Sequence, residues 1–154
     1  MYRTHNAIGA RTLPETYFDV RYEVLRAPLG IPRGAERLED DSAALHVWIT
    51  DKTGDVVSVG RVHVTNHTRN EVQVRMMATR LSHAGNGLGR KVLEALEQLA
   101  KTQFGAKHAW LNARDGAVGF YAACGWIATN YKFNIDGIGP HTRMVRELHT
   151  STGI

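Results

Sequence analysis

A glycine-rich turn in the middle of the chain is the stretch best suited to bind an anion. Gly85, Gly87 and Gly89 are followed directly by Arg90 and Lys91. Glycine lets the backbone turn tightly with its N–H groups exposed, and the start of a helix adds unsatisfied donors and the positive end of the helix dipole. Such a place binds phosphate oxygens. The alternative is a plain strand-to-helix turn whose glycines serve geometry only.

The elements on either side of this turn would hold it in place. Before it, Val72, Val74 and Met76 recur at every second position, which is the period of a strand with one face against a core. After it, apolar residues recur at three- and four-residue intervals, which predicts a helix with one buried stripe. The positions in that stripe are Leu88, Val92, Ala95, Leu96 and Leu99.

Two common phosphate-binding motifs do not fit the turn. A dinucleotide-binding G-x-G-x-x-G turn that starts at Gly85 would need a glycine where Arg90 stands. A nucleotide P-loop, G-x-x-x-x-G-K-[ST], would need a magnesium-binding hydroxyl where Val92 stands. The ligand is therefore expected to belong to another class of phosphate compound.

Three segments, at residues 76–79, 84–89 and 120–126, have a spacing that matches one known family. They resemble the acetyl-CoA-binding strand, the R/Q-x-x-G-x-G/A loop and the closing Tyr-x-x-x-Gly-aromatic segment of the GCN5-related N-acetyltransferase (GNAT) superfamily. Residues 20–25 and 136–144 resemble the ElaA-like and related small bacterial branches of that superfamily.

One position departs from the family pattern. Ala84 stands where the family usually has Arg or Gln, so the grip of that side chain on the diphosphate is absent here. His83 or Arg90 would have to compensate, or affinity would suffer.

The resemblance implies an α/β protein with the GNAT acyl-CoA N-acyltransferase fold, a mixed central sheet of about six to seven strands with helices on both faces. It covers roughly residues 45–148 of a single domain, 1–154. It further implies an N-acetyltransferase that moves an acetyl group from acetyl-CoA to a primary amine of a small molecule or amino acid by direct attack. Three alternatives stay open: a non-catalytic acyl-CoA-binding module, which Ala84 would suit, an enzyme that uses a longer acyl-CoA, and Cys124 as an acyl carrier.

The resemblance also assigns residues to the cofactor. The pantetheine arm would pair with backbone of the strand before the loop, and an N–H of Met77 or its neighbour would hold the thioester oxygen as it becomes an oxyanion. Asn112 could reach the pantetheine, although a turn-capping role is an equal alternative. The cofactor-binding residues are thus Met77, Ala78, Thr79, Ala84, Gly85, Asn86, Gly87, Leu88, Gly89, Arg90 and Asn112.

Proton transfer needs an acid and a base. With the family pattern, Tyr121 is the expected general acid, because a phenol can protonate a departing thiolate within hydrogen-bond reach; otherwise it is an aromatic wedge. His141, His46 or His63, or Glu71 through a water, would take the proton of the amine. Arg21, His46 and His63 are expected to bind the acceptor.

The remaining pattern supplies the other elements. A helix is predicted over residues 12–27, ending at Pro28 and Gly30, and a hairpin over 45–50 and 56–65 with Val57, Val59, Arg61 and His63 on one face. A strand at 108–112, a short helix at 116–124 with Phe120 in the core, and two strands within 129–148 follow. An acidic run, Glu36, Glu39, Asp40 and Asp41, is either a solvated end or an attractor of amines.

Composition limits the class of protein. The 154 residues are 43% hydrophobic and 22% charged, as in a soluble globular domain. The amino terminus lacks the apolar core of a signal peptide, and no run approaches the roughly 20 apolar residues of a membrane span. A single cysteine fits a reducing compartment. We therefore expect a cytoplasmic protein that does not bind membranes.

Net charge narrows the possible partners. The formal charge of +4 arises from arginines scattered among acids, without the basic stripe and exposed aromatic side chains of a nucleic-acid binder. A polyanionic cofactor explains the excess equally well. No H-E-x-x-H or similar spacing argues for a metal. The expected partner is a small-molecule amine, and a homodimer is allowed.

Overall fold

In the computed structural model, which describes residues 1–149, seven strands form one mixed sheet. They are β1 (Arg3–Ile8), β2 (Leu45–Thr50), β3 (Val56–Asn66), β4 (Glu71–Thr79), β5 (His108–Arg114), β6 (Ile127–Ile135) and β7 (Gly139–Glu147). Their order across the sheet is β1-β2-β3-β4-β5-β7-β6. β4 and β5 run parallel, as the helix between them predicts, and all other neighbours are antiparallel.

Three α-helices accompany the sheet in this part of the chain: α1 (Glu15–Arg21), α2 (Leu88–Phe104) and α3 (Val118–Ala123). A π-helical turn, Tyr22–Arg26, continues α1. α2 ends at Gly105, whose φ of 63° is the left-handed conformation that a helix stop requires. Within residues 1–149, none of the helices has the length and apolar character that crossing a membrane would demand.

Helices cover both faces of the sheet, as expected. On one, called here the α1 face, Tyr17 and Val20 pack against Trp48, Val59 and Ala78. On the other, the α2 face, the apolar stripe of α2 packs on the central strands. The main contributors there are Leu45, Val47, Ile49, Val72, Val74, Leu88, Val92 and Leu96. The alternation along each strand thus feeds two separate hydrophobic cores.

At the amino-terminal end, one strand was missed and the predicted start of one helix was wrong. β1 was not anticipated, because its sequence, RTHNAI, lacks a run of β-branched residues, and pairing with β2 holds it in the sheet. The first helix begins at Glu15 rather than near residue 12. Pro14 explains this, because the ring of a proline disfavours helical backbone in the residue before it.

A bulge changes the faces of β3. The register between β2 and β3 shifts at Thr50, where Ile49 pairs with Ser58 and Thr50 with Val56. Val57 is therefore the extra residue and packs in the core of the α2 face, while Val59 packs on the α1 face. The prediction that these two valines share a face was wrong because an unpaired residue interrupts the alternation.

The sheet splits between its two parallel strands. Residues Glu71, Val72 and Gln73 of β4 pair with His108, Ala109 and Trp110 of β5. Beyond Gln73 the two strands have no further pairs, and β5 continues along β7 as far as Arg114. A wedge therefore opens toward the carboxyl ends of β4 and β5, which is where α/β sheets bind ligands.

Candidate active site

A cavity of about 250 Å³ occupies the wedge between β4 and β5. The end of the π-helical turn at Leu25 and the β6–β7 hairpin at Ile135 complete its walls. Four of the predicted site residues line it together: Met77, Asn112, Tyr121 and His141. The fold therefore gathers the expected acid, one expected base and two expected donor-binding residues around one space.

Tyr121 enters the cavity from α3 and is 8% exposed. Burial raises the pKa of its phenol well above the ordinary value, and the neighbouring Cys124 adds to the rise while Arg114 opposes it. Within residues 1–149, no hydrogen bond occupies the Tyr121 hydroxyl. The phenol is consequently protonated at neutral pH, with its proton available to a group in the cavity.

His141 lies on β7 beside the same cavity and is 6% exposed. Its Nδ1 is 2.8 Å from the carbonyl oxygen of Gly139, and its ring stacks on Phe133 with 5.6 Å between centroids. A carbonyl only accepts hydrogen bonds, so Nδ1 carries the proton and Nε2 of the neutral ring keeps its lone pair. This arrangement equips His141 to accept a proton through Nε2.

The backbone of β4 is irregular where it lines the cavity. Met76 has a φ of 59°, a left-handed conformation that is unusual for a residue with a side chain. Arg75 pairs with Arg61 and Ala78 with Val59, so two residues of β4 oppose one residue of β3. Such bulges occur beside active sites and re-aim neighbouring groups. Here the bulge falls at the residues that sequence predicts for the oxyanion.

The glycine-rich turn has the conformation that anion binding requires. Gly85 and Gly87 have φ values of 82° and 73°, and Gly87 is the residue that precedes α2. The first bond of the helix runs from the Lys91 N–H to the Gly87 oxygen. In the part of the chain that the structure describes, the N–H groups between them therefore lack acceptors. No acidic residue lies in the first turn of α2.

Gly89, in the first turn of α2, leaves room for the Phe120 ring. A Cβ at this position would lie 3.2 Å from the Phe120 ring and 3.7 Å from Oγ1 of Thr79. Phe120 itself is 39% exposed, so the prediction that it belongs to the core was wrong. It instead covers the start of α2 from outside.

Neither side chain expected to compensate for Ala84 is free of other contacts. Nη2 of Arg90 donates to the Ala123 oxygen at 2.9 Å, and Nδ1 of His83 is 3.0 Å from the Tyr2 hydroxyl. At this turn, the backbone N–H groups at the start of α2 therefore remain as donors without an acceptor among residues 1–149.

Two residues expected to bind the acceptor are instead fully buried. Arg21 and His46 have 0% exposure. Arg21 forms a bidentate ion pair with Asp41, at 2.9 and 3.1 Å. The Tyr17 hydroxyl, 3.0 Å from Arg21 and 2.7 Å from Nδ1 of His46, joins the two. A side chain with no accessible atom cannot contact an acceptor, so both predictions are corrected here: these residues stabilise the fold.

Two members of the acidic run, Asp40 and Asp41, belong to the same network of hydrogen bonds. Asp41 is 4% exposed, and Arg61, at 0%, donates to Asp41 at 2.8 Å and to Asp40 at 2.6 Å. Burial alone would raise the pKa of Asp41, but hydrogen bonds and charge from Arg21 outweigh it and lower the pKa to about 2. Arginines thus neutralise Asp40 and Asp41, which are not free to attract amines. Within residues 1–149, Glu36 and Glu39 form no ion pair; the Glu36 carboxylate accepts from the Gly34 N–H at 2.7 Å, and Glu39 is exposed.

His63 is also held by this network. Its Nδ1 accepts from Nη2 of Arg61 at 2.8 Å, and its Nε2 is 3.4 Å from Asp40. Burial and the charge of Arg61 lower the pKa of its imidazole. The ring is outside the cavity lining, so the structure does not bring His63 to the site.

Glu71 is at the wrong end of its strand to act as a base. It pairs with His108 where β4 and β5 are still joined, five positions before Met76. At about 3.3 Å per residue, some 16 Å of strand separates it from the bulge. Its carboxylate lies near the Thr65 hydroxyl, at 3.2 Å. This prediction is therefore corrected, because strand direction carries Glu71 away from the cavity.

The three arginines of the cavity lining, Arg26, Arg75 and Arg114, were not among the predicted site residues. Arg75 follows Gln73 on β4 at the two-residue period, and Arg114 follows Asn112 on β5 in the same way. Polar residues at alternate positions of two strands that flank one helix were the available signal, because parallel neighbours turn such positions to one face.

Comparison with known proteins identifies the family. The acetyltransferase (GNAT) family model matches residues 11–126. The uncharacterized N-acetyltransferase YitI of Bacillus subtilis (strain 168) is 25% identical over 142 residues, which cover 89% of this chain and 93% of YitI.

Two solved structures share the fold. The crystal structure of Escherichia coli ElaA has a TM-score of 0.80 at 18% identity, over 96% of this chain and 100% of ElaA. An aminoglycoside 6'-N-acetyltransferase complexed with coenzyme A has a TM-score of 0.74 at 12% identity, over 95% and 98% of the two chains. Together with the matched family model, these likenesses show that the chain belongs to the GNAT family and is an acyl-CoA-dependent acyltransferase.

Proposed function

We propose that this acyltransferase moves an acetyl group from acetyl-CoA to a primary amine of a small molecule or amino acid by direct attack. The observation that carries the proposal is the single cavity in which the β4 bulge, Tyr121 and His141 meet. A thioester held at the bulge would lie between a protonated phenol and an imidazole with a free lone pair. These are the two groups that acyl transfer to an amine requires.

The donor is held mainly by backbone. The N–H groups at the start of α2 would bind the diphosphate, since they are exposed and face no carboxylate in the first helical turn. The edge of β4 at Met77, Ala78 and Thr79 would pair with the pantetheine, because it has no strand partner on the β5 side. Asn112 has its Oδ1 engaged by Arg143 at 3.1 Å, which leaves its amide N–H₂ for a ligand.

Acetyl-CoA supplies an activated thioester carbonyl. The residues of this chain transfer protons and stabilise the charge that develops. Nε2 of His141 accepts the proton that the attacking amine gives up. Main-chain N–H at the Met76–Met77 bulge stabilises the negative charge that develops on the carbonyl oxygen. The Tyr121 hydroxyl then protonates the departing sulfur, so that a neutral thiol leaves.

Replacement of Tyr121 by Phe tests the acid. We expect kcat to fall by about 10²-fold, because the thiolate must leave without a proton donor. Binding of acetyl-CoA, measured by titration calorimetry, should persist, since the ring remains. Tyr131→Phe is the matched control, as Tyr131 is 52% exposed on β6. Full turnover by Tyr121→Phe, with release of free coenzyme A as the readout, would remove Tyr121 from the mechanism.

The choice of acyl group is tested on the same assay. Acetyl-CoA and longer acyl-CoA donors are compared at equal concentration with one amine acceptor. The proposal expects the highest kcat/KM for acetyl-CoA. A higher value for a longer chain would replace acetyl transfer with transfer of that acyl group.

A further inference from the structure

Three arginines from three different elements line the cavity. Arg26 ends the π-helical turn after α1, Arg75 lies on β4 and Arg114 ends β5. The alternation of β5 places Leu111 and Ala113 in the core of the α2 face, so Asn112 and Arg114 lie on the α1 side. The arginine cluster is thus on the opposite side of the sheet from α2 and its anion-binding turn.

Within residues 1–149, no carboxylate forms an ion pair with a member of this cluster, although the charge of Glu36 raises the pKa of Arg26 and the charges of Asp40 and Asp41 raise that of Arg75, each against the larger effect of burial. The cavity lining contains neither Asp nor Glu. Arg26 donates to the backbone oxygens of Ala35 and Leu25, at 3.2 and 3.3 Å, and Arg114 donates to the Leu25 oxygen at 3.1 Å. These bonds fix the guanidinium groups without cancelling their charge.

Arg75 is the least engaged member. Within residues 1–149, its side chain makes neither a hydrogen bond nor an ion pair. Asp40 and Asp41, whose charges act on Arg75, are already paired with Arg61 and Arg21. Arg75 is therefore a partly buried cation on the wall of the cavity with its donors unused.

Grouping three cations in a partly buried place has an electrostatic cost. Burial lowers the pKa of all three guanidinium groups, and the charges of Arg114 and Arg75 lower that of Arg26 further. An anion among them would relieve this repulsion and accept charge-assisted hydrogen bonds. A cationic ligand would increase the repulsion.

We propose that the acyl acceptor carries a carboxylate, which Arg26, Arg75 and Arg114 bind while the amine of the same molecule faces the β4 bulge. The acceptor class is then an amino acid or similar amino-carboxylate rather than a polyamine. This inference rests on the proposed function and adds the charge of the acceptor to it. Guanidinium groups suit the task because their planar donors match the two oxygens of a carboxylate.

Matched acceptor pairs test the inference. Tyrosine is compared with tyramine, and phenylalanine with phenethylamine, because the members of each pair differ by one carboxylate. With acetyl-CoA as donor, we expect kcat/KM to be at least about tenfold higher for the carboxylated members, as for a charged hydrogen bond. Equal or higher efficiency with tyramine and phenethylamine, or no turnover of either amino acid, would overturn the inference.

The Arg75→Gln variant then tests whether Arg75 binds the carboxylate of the acceptor. The KM for the amino acids should rise about tenfold or more, and the preference over the decarboxylated amines should collapse. Arg75→Lys keeps the charge and should recover part of the preference. Arg69→Gln is the matched control, since Arg69 is an exposed arginine on the β3–β4 turn. An unchanged preference in a folded Arg75→Gln protein would overturn the assignment of this residue.

The carboxylate could instead belong to the acyl group, and succinyl-CoA separates the two sources. If tyramine with succinyl-CoA is the best pair and Arg75→Gln abolishes its advantage, the cluster binds the donor and the acceptor assignment falls. Calorimetry with acetyl-CoA is performed first. Absence of binding there would overturn the proposed function, whereas binding and turnover with only non-carboxylated amines would overturn this inference alone.

Discussion

At the scale of single residues, His46 shows how a histidine becomes a structural group. Its Nε2 donates to the Asp41 carbonyl oxygen at 2.9 Å, so Nδ1 is free to accept from the Tyr17 hydroxyl at 2.7 Å. The bond that Nδ1 accepts needs the neutral ring, whereas Nε2 can donate to the carbonyl in either protonation state. Burial lowers the pKa of His46 to about 4, which the bond to Asp41 opposes only in part.

This lowered pKa predicts a loss of stability in mild acid. The folded pKa of about 4 lies below the ordinary value of 6.5, so the unfolded chain takes up a proton first as the pH falls. The contribution of His46 is complete above pH 6.5 and is lost toward pH 4. We expect the unfolding free energy to fall by about 2 to 3 kcal/mol between pH 7 and 4.5 from this residue. Urea denaturation at several pH values measures it.

Two glutamine variants complete that experiment. His46→Gln removes the titrating ring and should flatten the pH dependence, although some slope remains from His63, whose pKa is lowered in the same sense. His67→Gln changes an exposed histidine and should leave the slope unchanged. A His46→Gln protein with the full wild-type slope would show that other groups cause it.

The location of a residue at the cavity was predictable only where a local motif decides it. Tyr121 and Met77 were expected there because their spacing along the chain is their signal, and both line the cavity. Arg21 was misassigned because its partner, Asp41, is twenty positions away and no local pattern announces the pairing. Residue type alone suggests an accessible side chain at position 21, since an arginine is rarely buried unless it is paired.

At the scale of elements, Gly60 sets how closely β3 approaches α2. A Cβ at this position would lie 2.8 and 2.9 Å from Val92 and Leu96 of α2, and 2.5 Å from Sδ of Met77 on β4. Because Gly60 has no side chain, α2 and Met77 of the β4 bulge can both pack directly against β3 at this position. Branched side chains from a packed helix cannot move far to relieve a contact that short.

Gly60→Ala should therefore destabilise the protein by about 1 to 3 kcal/mol, as overpacking of a core does. Gly119→Ala is the matched comparison, because Gly119 is exposed in α3 and a Cβ there meets nothing within 4 Å. That change should stabilise by about 0.5 to 1 kcal/mol, since alanine loses less backbone freedom in a helix. Thermal and urea unfolding of both variants measure the difference. Equal stabilities would show that the β3–α2 contact can relax.

Element types followed from periodicity, whereas their irregularities did not. α2 was predicted because its apolar stripe repeats over five positions, and its stop because Gly105 directly follows. The bulges in β3 and β4 depend on the register between strands, which is fixed by pairing across the sheet and leaves no sign in either strand alone. β1 was missed for the same reason, since pairing with β2 holds it in the sheet.

At the scale of the whole molecule, the candidate active site results from the order of strands. β7 takes the place beside β5 and is followed by β6, so the hairpin that joins them carries His141 and Ile138 to the open end of the wedge. The resemblance to GNAT proteins implied this sheet. The resemblance could not imply which charged side chains line the wedge. Those depend on which residue stands at each strand position that faces the wedge.

The wedge has a kinetic consequence, because it opens toward α2 on one side and toward the arginine cluster on the other. The acyl donor and the amine can bind at the same time because they enter from opposite sides. We therefore expect a ternary complex and intersecting double-reciprocal lines in initial-rate plots. Parallel lines would indicate a modified enzyme form. Cys124→Ala should leave the intersecting pattern unchanged, since this thiol is outside the cavity and burial raises its pKa. Desulfo-coenzyme A should then compete with the donor but not with the amine.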